Sequence, residues 1–334
     1  QHRLDITVAL AVCFRVVLIF SPPLLETDPS RYLWDGAVLA AGHDPYRFAP
    51  LTVREHIKRL DRRPMGGAPS TAHRSRDEVT LDALAGLARD PKLARQLALI
   101  NHPHIPTCYP PAAQLTFAAA AWVAPGDVLV LKTLLALIDL GSLVLLSSLL
   151  RRLGRPRLWI LLYAWCPLVL KEQVQTGHFD GLATFFVLAA LRTIVASRPR
   201  VAGVCLGLSI LSKLYAGILV VVLSPILGVA GVATCLITVL IVAAPFVWTN
   251  PDLGGGLATY GSEWVRNGSI HALIDGWLLG GAHPMLARFA VGLTLVGILL
   301  VLARRSLVAR KRLDPGGTVG LSESSRSRRV GTAS

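Results

Sequence analysis

The sequence predicts an all-α, polytopic integral membrane protein, on three observations. Hydrophobic residues make up 53% of the 334 positions, charged residues only 16%, and the mean hydropathy is +0.54, a composition of bilayer proteins rather than soluble domains. Apolar runs close to the length of about 20 residues that a spanning helix needs recur along the chain. The basic residues gather in blocks flanking those runs.

The runs 6–25, 128–150, 157–176, 179–197, 227–247 and 284–303 are the expected spans. Two further apolar stretches fit a span poorly. Residues 109–125 are short and bounded by Pro, and 201–225 carry Lys213 near the centre. The basic groups at 151–157, 192–200 and 304–312 should all be cytoplasmic. About six spans, with 109–125 and 201–225 as re-entrant helices, put every basic block on that side. Residues 1–25 then form the first transmembrane helix and 26–127 a long first external loop. Within that loop, amphipathic helices are expected at 52–62 and 78–100. Residues 128–303 form a bundle with external loops 171–181 and 249–276, and 304–334 a basic, disordered cytoplasmic tail.

The formal net charge of +14 comes largely from such blocks; eight basic residues lie between Arg304 and Arg329. They read as anchors on anionic lipid rather than as a nucleic-acid surface. The five Cys residues lack metal or redox spacing and read as small core residues. The chain opens on Gln1, so its natural start is expected upstream. No nucleotide loop, nucleophile elbow or zinc signature is present.

The unusual polar residues concentrate on the external side. Residues 26–50 alone hold Glu26, Asp28, Asp35 and Asp44 beside several aromatic rings. A carboxylate just outside a helix end can act as general base to a hydroxyl, or hold a cation near a phosphate. Asp35 lies seven residues after Asp28, hence two turns on and on the same face of a helix, with Arg31 between them. Asp28 before Pro29 also reads as a helix start, a role compatible with the first. His102 and His104 could bind a metal but lack a fixed third ligand. The turn 171–181 supplies Lys171, Glu172, His178 and Asp180. Lys213, too far from either end of its apolar run to snorkel, wants an anionic partner, either a protein carboxylate or a lipid phosphate.

In order along the chain, "TDPSRYLWDG", "GHDPYRFAP", "NHPHIPTCYPPAAQ", "GHFDGL", "GLSILSKLY" and "YGSEWVRNGSI" resemble the bacterial polyprenyl-phosphate-mannose-dependent mannosyltransferases of the GT-C superfamily. The likeness runs from about residue 6 to 303. It implies a glycosyltransferase of the cell membrane that uses a polyprenyl-phosphate-linked sugar on the extracytoplasmic face, with a lipid or glycan acceptor and membrane lipids as its other partners. By the same resemblance, Asp28 matches the catalytic acid of the first external loop and Asp35 the second acid of the pattern. Lys213 matches the mid-helix Lys, and His178 with Asp180 the His-x-Asp turn. Pro29 and Ala216 depart from the pattern. Arg31, His178, Lys213, Tyr109, Asp180 and Glu26 are the candidates for holding the donor phosphate or substrate. The acids leave a divalent cation (Mg or Mn) open as cofactor. Two rival readings stand beside this one: a transporter or flippase of polyprenyl-linked glycans, and a non-catalytic membrane partner.

Overall fold

A computed structural model describes residues 2–23, 26–62, 74–250, 254–263, 272–278 and 284–313. Among the described residues there is no strand, and the chain is all-α. It divides into two compact units, one of Gln1–Gly217 with Ala230–Asn267, the other of Ile218–Val229 with Gly268–Ser334.

The first unit opens with α1 (His2–Ile19) and α2 (Asp28–Ala40). After α2, the rest of the expected external loop holds, among the described residues, four helices, α3 (Pro50–Asp61), α4 (Arg76–Leu87), α5 (Pro91–Leu99) and α6 (Pro111–Val123). Local signals set their starts. Pro stands in the first turn of α2, α3, α5 and α6, where its missing N–H costs nothing. Ser75 and Glu78 form a reciprocal capping box on α4, and the Asp90 side chain accepts from the Lys92 and Leu93 N–H groups at α5, each satisfying donors the helix leaves orphaned. Asp90-Pro91 therefore divides the expected helix 78–100 in two. Trp34, Val38, Val53, Leu84, Leu93, Leu97 and Ala121 close a common apolar core. At Gly36, α2 and α6 touch backbone to backbone: a Cβ there would lie 2.4 Å from the Phe117 carbonyl oxygen.

The long α7 (Val128–Arg152) starts on Asp127, whose carboxylate accepts from the Leu129 and Val130 N–H groups. The run 157–176, expected as one span, is not one helix. It breaks into a 3-10 turn (Arg157–Ile160), two short helical pieces (Leu161–Ala164 and Pro167–Val169) and a π turn (Leu170–Thr176). Pro156 and Pro167 bracket the first breaks, as Pro removes a helical donor and restricts the residue before it. Then come α8 (Asp180–Val195), α9 (Pro199–Ser212) and α10 (Gly217–Thr249). At Lys213 the backbone turns extended, and a 3-10 turn covers Leu214–Ala216. Inside α10, Gly228 leaves helical geometry altogether (φ 63°, ψ −178°). Gly203 faces the carbonyl of Gly231, and Gly207 that of Cys235, so α9 and the part of α10 after Ala230 run in the same direction. The short α11 (Gly255–Glu263) lays its backbone against the carbonyls of Pro106 and Thr107.

In the second unit a π turn (Leu273–Leu278) packs against α12 (Pro284–Leu313). Phe289, Leu293, Val296, Leu300 and Val301 are all more than half exposed, as a helix facing lipid requires.

Val128–Arg152, Leu214–Thr249 and Phe289–Val308 are long and apolar enough to cross a membrane. The first expected span reaches only Ile19 as helix, and 179–197 yields the 16-residue α8. At 13 residues, α6 is about 20 Å long, short of a bilayer core. The tail beyond 313 lies outside the described residues.

Candidate functional site

Three tethers hold α1 and the start of the first loop against α7 and the segment that follows it. The Lys132 ammonium donates to the Leu18 carbonyl at 3.0 Å and to that of Ser21, closing the C-terminal end of α1 with a cation, the sign its dipole favours. Gln175 Nε2 donates to the Pro22 carbonyl at 3.0 Å. Deeper, a buried ion pair joins Arg15 Nε to Asp139 Oδ2 at 2.5 Å. The Tyr163 hydroxyl donates to the other Asp139 oxygen at 2.7 Å, and Arg15 Nη1 to the carbonyls of Ala11 and Ala164. This knot ties α1, α7 and the broken segment together. The sequence reading passed over it, although the signal was present: Arg15, Lys132 and Asp139 are charges inside apolar runs, which are retained where they have a task.

The π turn then ends at Gly177, whose φ of 84° favours a residue without Cβ, and the chain turns back so that His178 N–H donates to the Glu172 carbonyl at 2.8 Å. His178 Nδ1 lies 3.2 Å from the Tyr32 hydroxyl of α2. Its Nε2 faces two carboxylates, Glu172 at 3.6 Å and Glu26 at 3.9 Å. Asp28, the first residue of α2, accepts from Asn101 Nδ2 at 2.8 Å and remains part-exposed. Beneath them the rings of Tyr32 and Phe117 stack at 4.6 Å, and Tyr109 and Phe179 meet Tyr32 edge-on at 5.1 and 5.2 Å. Burial, reinforced by the nearby Asp28 charge, pushes the Tyr32 and Tyr109 hydroxyls well above the usual phenol range. Both therefore stay protonated as donors.

Glu26, Asp28 and His178 form the one group of side chains among the described residues that could hold a metal ion, their ligand atoms lying within 4.8 Å of one another. Two carboxylates and an imidazole suit a divalent cation, and the Tyr32 contact on Nδ1 leaves Nε2 turned towards it. His102 and His104, with ring centroids 6.2 Å apart, are not part of such a group.

At the other side of the His178 turn, Lys213 pairs with Asp180 Oδ1 and places its ammonium 5.1 Å above the Phe179 ring. Lys171 and Glu172 pair at 2.7 Å. Glu26, Asp28, Tyr109, His178, Asp180 and Lys213 thus share one neighbourhood although the sequence spreads them over nearly 190 positions.

Asp35 and Arg31 do not join them on the surface. Asp35 is 2% exposed and receives Arg31 Nε on both oxygens at 2.9 and 3.0 Å. Arg31 Nη1 donates to the Ile105 carbonyl, and Gln114 Nε2 binds Thr107 Oγ1 at 2.9 Å and reaches Asp35 at 3.4 Å. Burial pushes the Asp35 carboxyl above its ordinary range, against the pull of Arg31, Thr107 and Gln114. The pair fastens α2 to the 102–110 segment and α6. Both groups lie buried under α6 and that segment rather than at the surface with Asp28.

Residues 107–319 match the model of glycosyltransferase family 87, well over half of the chain. The chain belongs to glycosyltransferase family 87. It is accordingly a membrane glycosyltransferase of the GT-C type. The match covers Tyr109, His178, Asp180 and Lys213 of this family 87 enzyme, while Glu26 and Asp28 precede it. No curated protein and no solved structure matches the chain.

Proposed function

We propose that this family 87 enzyme transfers a sugar, mannose in the first instance, from a polyprenyl-phosphate carrier to a lipid or glycan acceptor on the external face of the cell membrane, with inversion. The acceptor hydroxyl attacks the anomeric carbon opposite the phosphate. Asp28 takes the hydroxyl proton as the new C–O bond forms, and the bond from the anomeric carbon to the phosphate oxygen breaks. The phosphate leaves as an anion without protonation, so the protein's tasks are the base, the alignment and compensation of the released charge. Lys213 and His178 supply that compensation, with Glu26 holding the imidazole and Tyr109 and Tyr32 offering hydroxyl donors beside it. Asp35 and Arg31 support α2 from within.

One observation carries this reading. Asp28 is a part-exposed carboxylate at the start of a helix, held by the Asn101 amide, with a ligand atom within 4.8 Å of that of His178, which lies 150 residues away in the sequence. A divalent cation on Glu26, Asp28 and His178 would polarise a phosphate or hydroxyl oxygen when bound, and would take the lone pairs the base needs.

The test is transfer of radiolabelled mannose from polyprenyl-phosphomannose into a membrane lipid extract, by wild type and Asp28→Asn, each with and without chelator. Transfer lost in the variant alone supports the aspartate base. Transfer retained by the variant removes Asp28 from that role, and loss with chelator in the wild type assigns it to a cation.

A further inference from the structure

We infer that Asp180 competes with the carrier phosphate for the Lys213 ammonium, and so serves to release the spent carrier after transfer. The inference rests on Lys213 as the phosphate ligand of the proposed reaction.

Four features of the Asp180–Lys213 pair set it apart. First, both side chains are part-exposed, Lys213 at 32% and Asp180 at 38%, whereas Arg15–Asp139 stands at 1% and 0% and Arg31–Asp35 at 8% and 2%. An exposed pair separates at little cost; a buried one does not. Second, Asp180 is the first residue of the 16-residue α8. Its carboxylate lies at the positive end of that helix and keeps a stabilising partner when the ammonium leaves it. Third, Lys213 has a second hold of its own, the face of Phe179 at 5.1 Å, which retains an ammonium independently of any carboxylate. Fourth, Lys213 sits in extended backbone between α9 and the following 3-10 turn, so its position is set by the break rather than by its pairing with Asp180. The acid is therefore free to exchange while the ammonium stays.

The charge of the ligand changes during the reaction. A sugar-linked polyprenyl phosphate is a diester with one negative charge. The released polyprenyl phosphate is a monoester, which carries between one and two at neutral pH because its second pKa is about 6. Lys213 alone would hold the product more tightly than the donor. Asp180, repelling the product more than the donor, opposes that difference.

The experiment is equilibrium binding of radiolabelled farnesyl phosphate to the full-length protein in detergent, with farnesol as the uncharged control. Wild type, Asp180→Asn, Asp180→Ser and Lys213→Gln are compared, with thermal unfolding recorded for each. Ser preserves a helix-start residue without the charge, so it stands in if the Asn variant folds poorly. Removing the acid is expected to tighten farnesyl phosphate binding by roughly three- to tenfold and to leave farnesol unchanged. In turnover the same variants should show stronger inhibition by polyprenyl phosphate, and a kcat that falls while the donor KM does not rise. Weaker or unchanged binding in both Asp180 variants, with Lys213→Gln still impaired, overturns the inference and leaves Lys213 as the phosphate ligand. Unchanged binding in Lys213→Gln overturns the reading of Lys213 itself, and this inference with it.

Discussion

Asp28 and Asp35 stand on one helix, two turns apart, and the molecule treats them in opposite ways. Asp28, at the first position of α2, has one amide donor from Asn101 and access to solvent. Asp35 is 2% exposed, and Arg31 and Gln114 occupy it. Residue type and spacing are shared; the difference is the wall that α6 and the 102–110 segment build over the second turn. A carboxylate can act on a substrate only if it can give up its partners at low cost, and burial decides that cost.

The largest effects should separate the two acids. Asp28→Asn is expected to lower transfer by roughly a hundred- to ten-thousandfold while thermal unfolding in detergent stays at the wild-type temperature. Asp35→Asn should instead cost about 3–5 kcal/mol of stability, because it strands Arg31 as a buried, unpaired cation. It should therefore be seen first as low yield and a lowered melting temperature. A stable, well-expressed Asp35→Asn protein without activity would reverse the two assignments.

Next in size, the double variant Arg31→Met with Asp35→Leu should recover most of the stability lost by Asp35→Asn, since replacing both partners leaves no orphaned charge. Melting curves of the single and double variants measure this directly. If the double variant is no better than the single, the pair does more than balance charge.

Gly36→Ala tests the wall itself. The new methyl would lie 2.4 Å from the Phe117 carbonyl oxygen, and backbone cannot swing aside as a side chain can. A loss of roughly 1–3 kcal/mol is expected, read as a lower melting temperature. An unchanged melting temperature would show that α2 and α6 are not in backbone contact.

The smallest expected effect concerns a cation at Glu26, Asp28 and His178. If Asp28 works as the base, chelator should change the transfer rate of the wild type by no more than about twofold. A larger loss, restored by manganese or magnesium, would move Asp28 from base to ligand.

Much of this contrast was within reach of the sequence, and part was not. Asp28 and Lys213 could be singled out as charges at the end of, or inside, an apolar run, while His178 and Asp180 were picked out by the family resemblance. Lys213 could even be said to require an anion, and the fold supplies Asp180. Asp35 and Arg31 looked equally fit for chemistry, because periodicity shows which face of a helix they share but not what packs on it. The Arg15–Asp139–Tyr163 knot was missed since its members are 124 and 24 residues apart in sequence, and each by itself reads only as an isolated polar residue within an apolar stretch.

By itself, then, the sequence determined the all-α membrane class, through composition and the length of its apolar runs, and the helix starts, through Pro, Asp and Ser at their first turns. These are local properties, set by neighbours a few residues away. The tertiary structure alone decided that the turn after 157–176 carries His178 back to Tyr32, and which of two aspartates on one helix is left part-exposed. Both depend on what distant segments bury, and burial is not written at any single position.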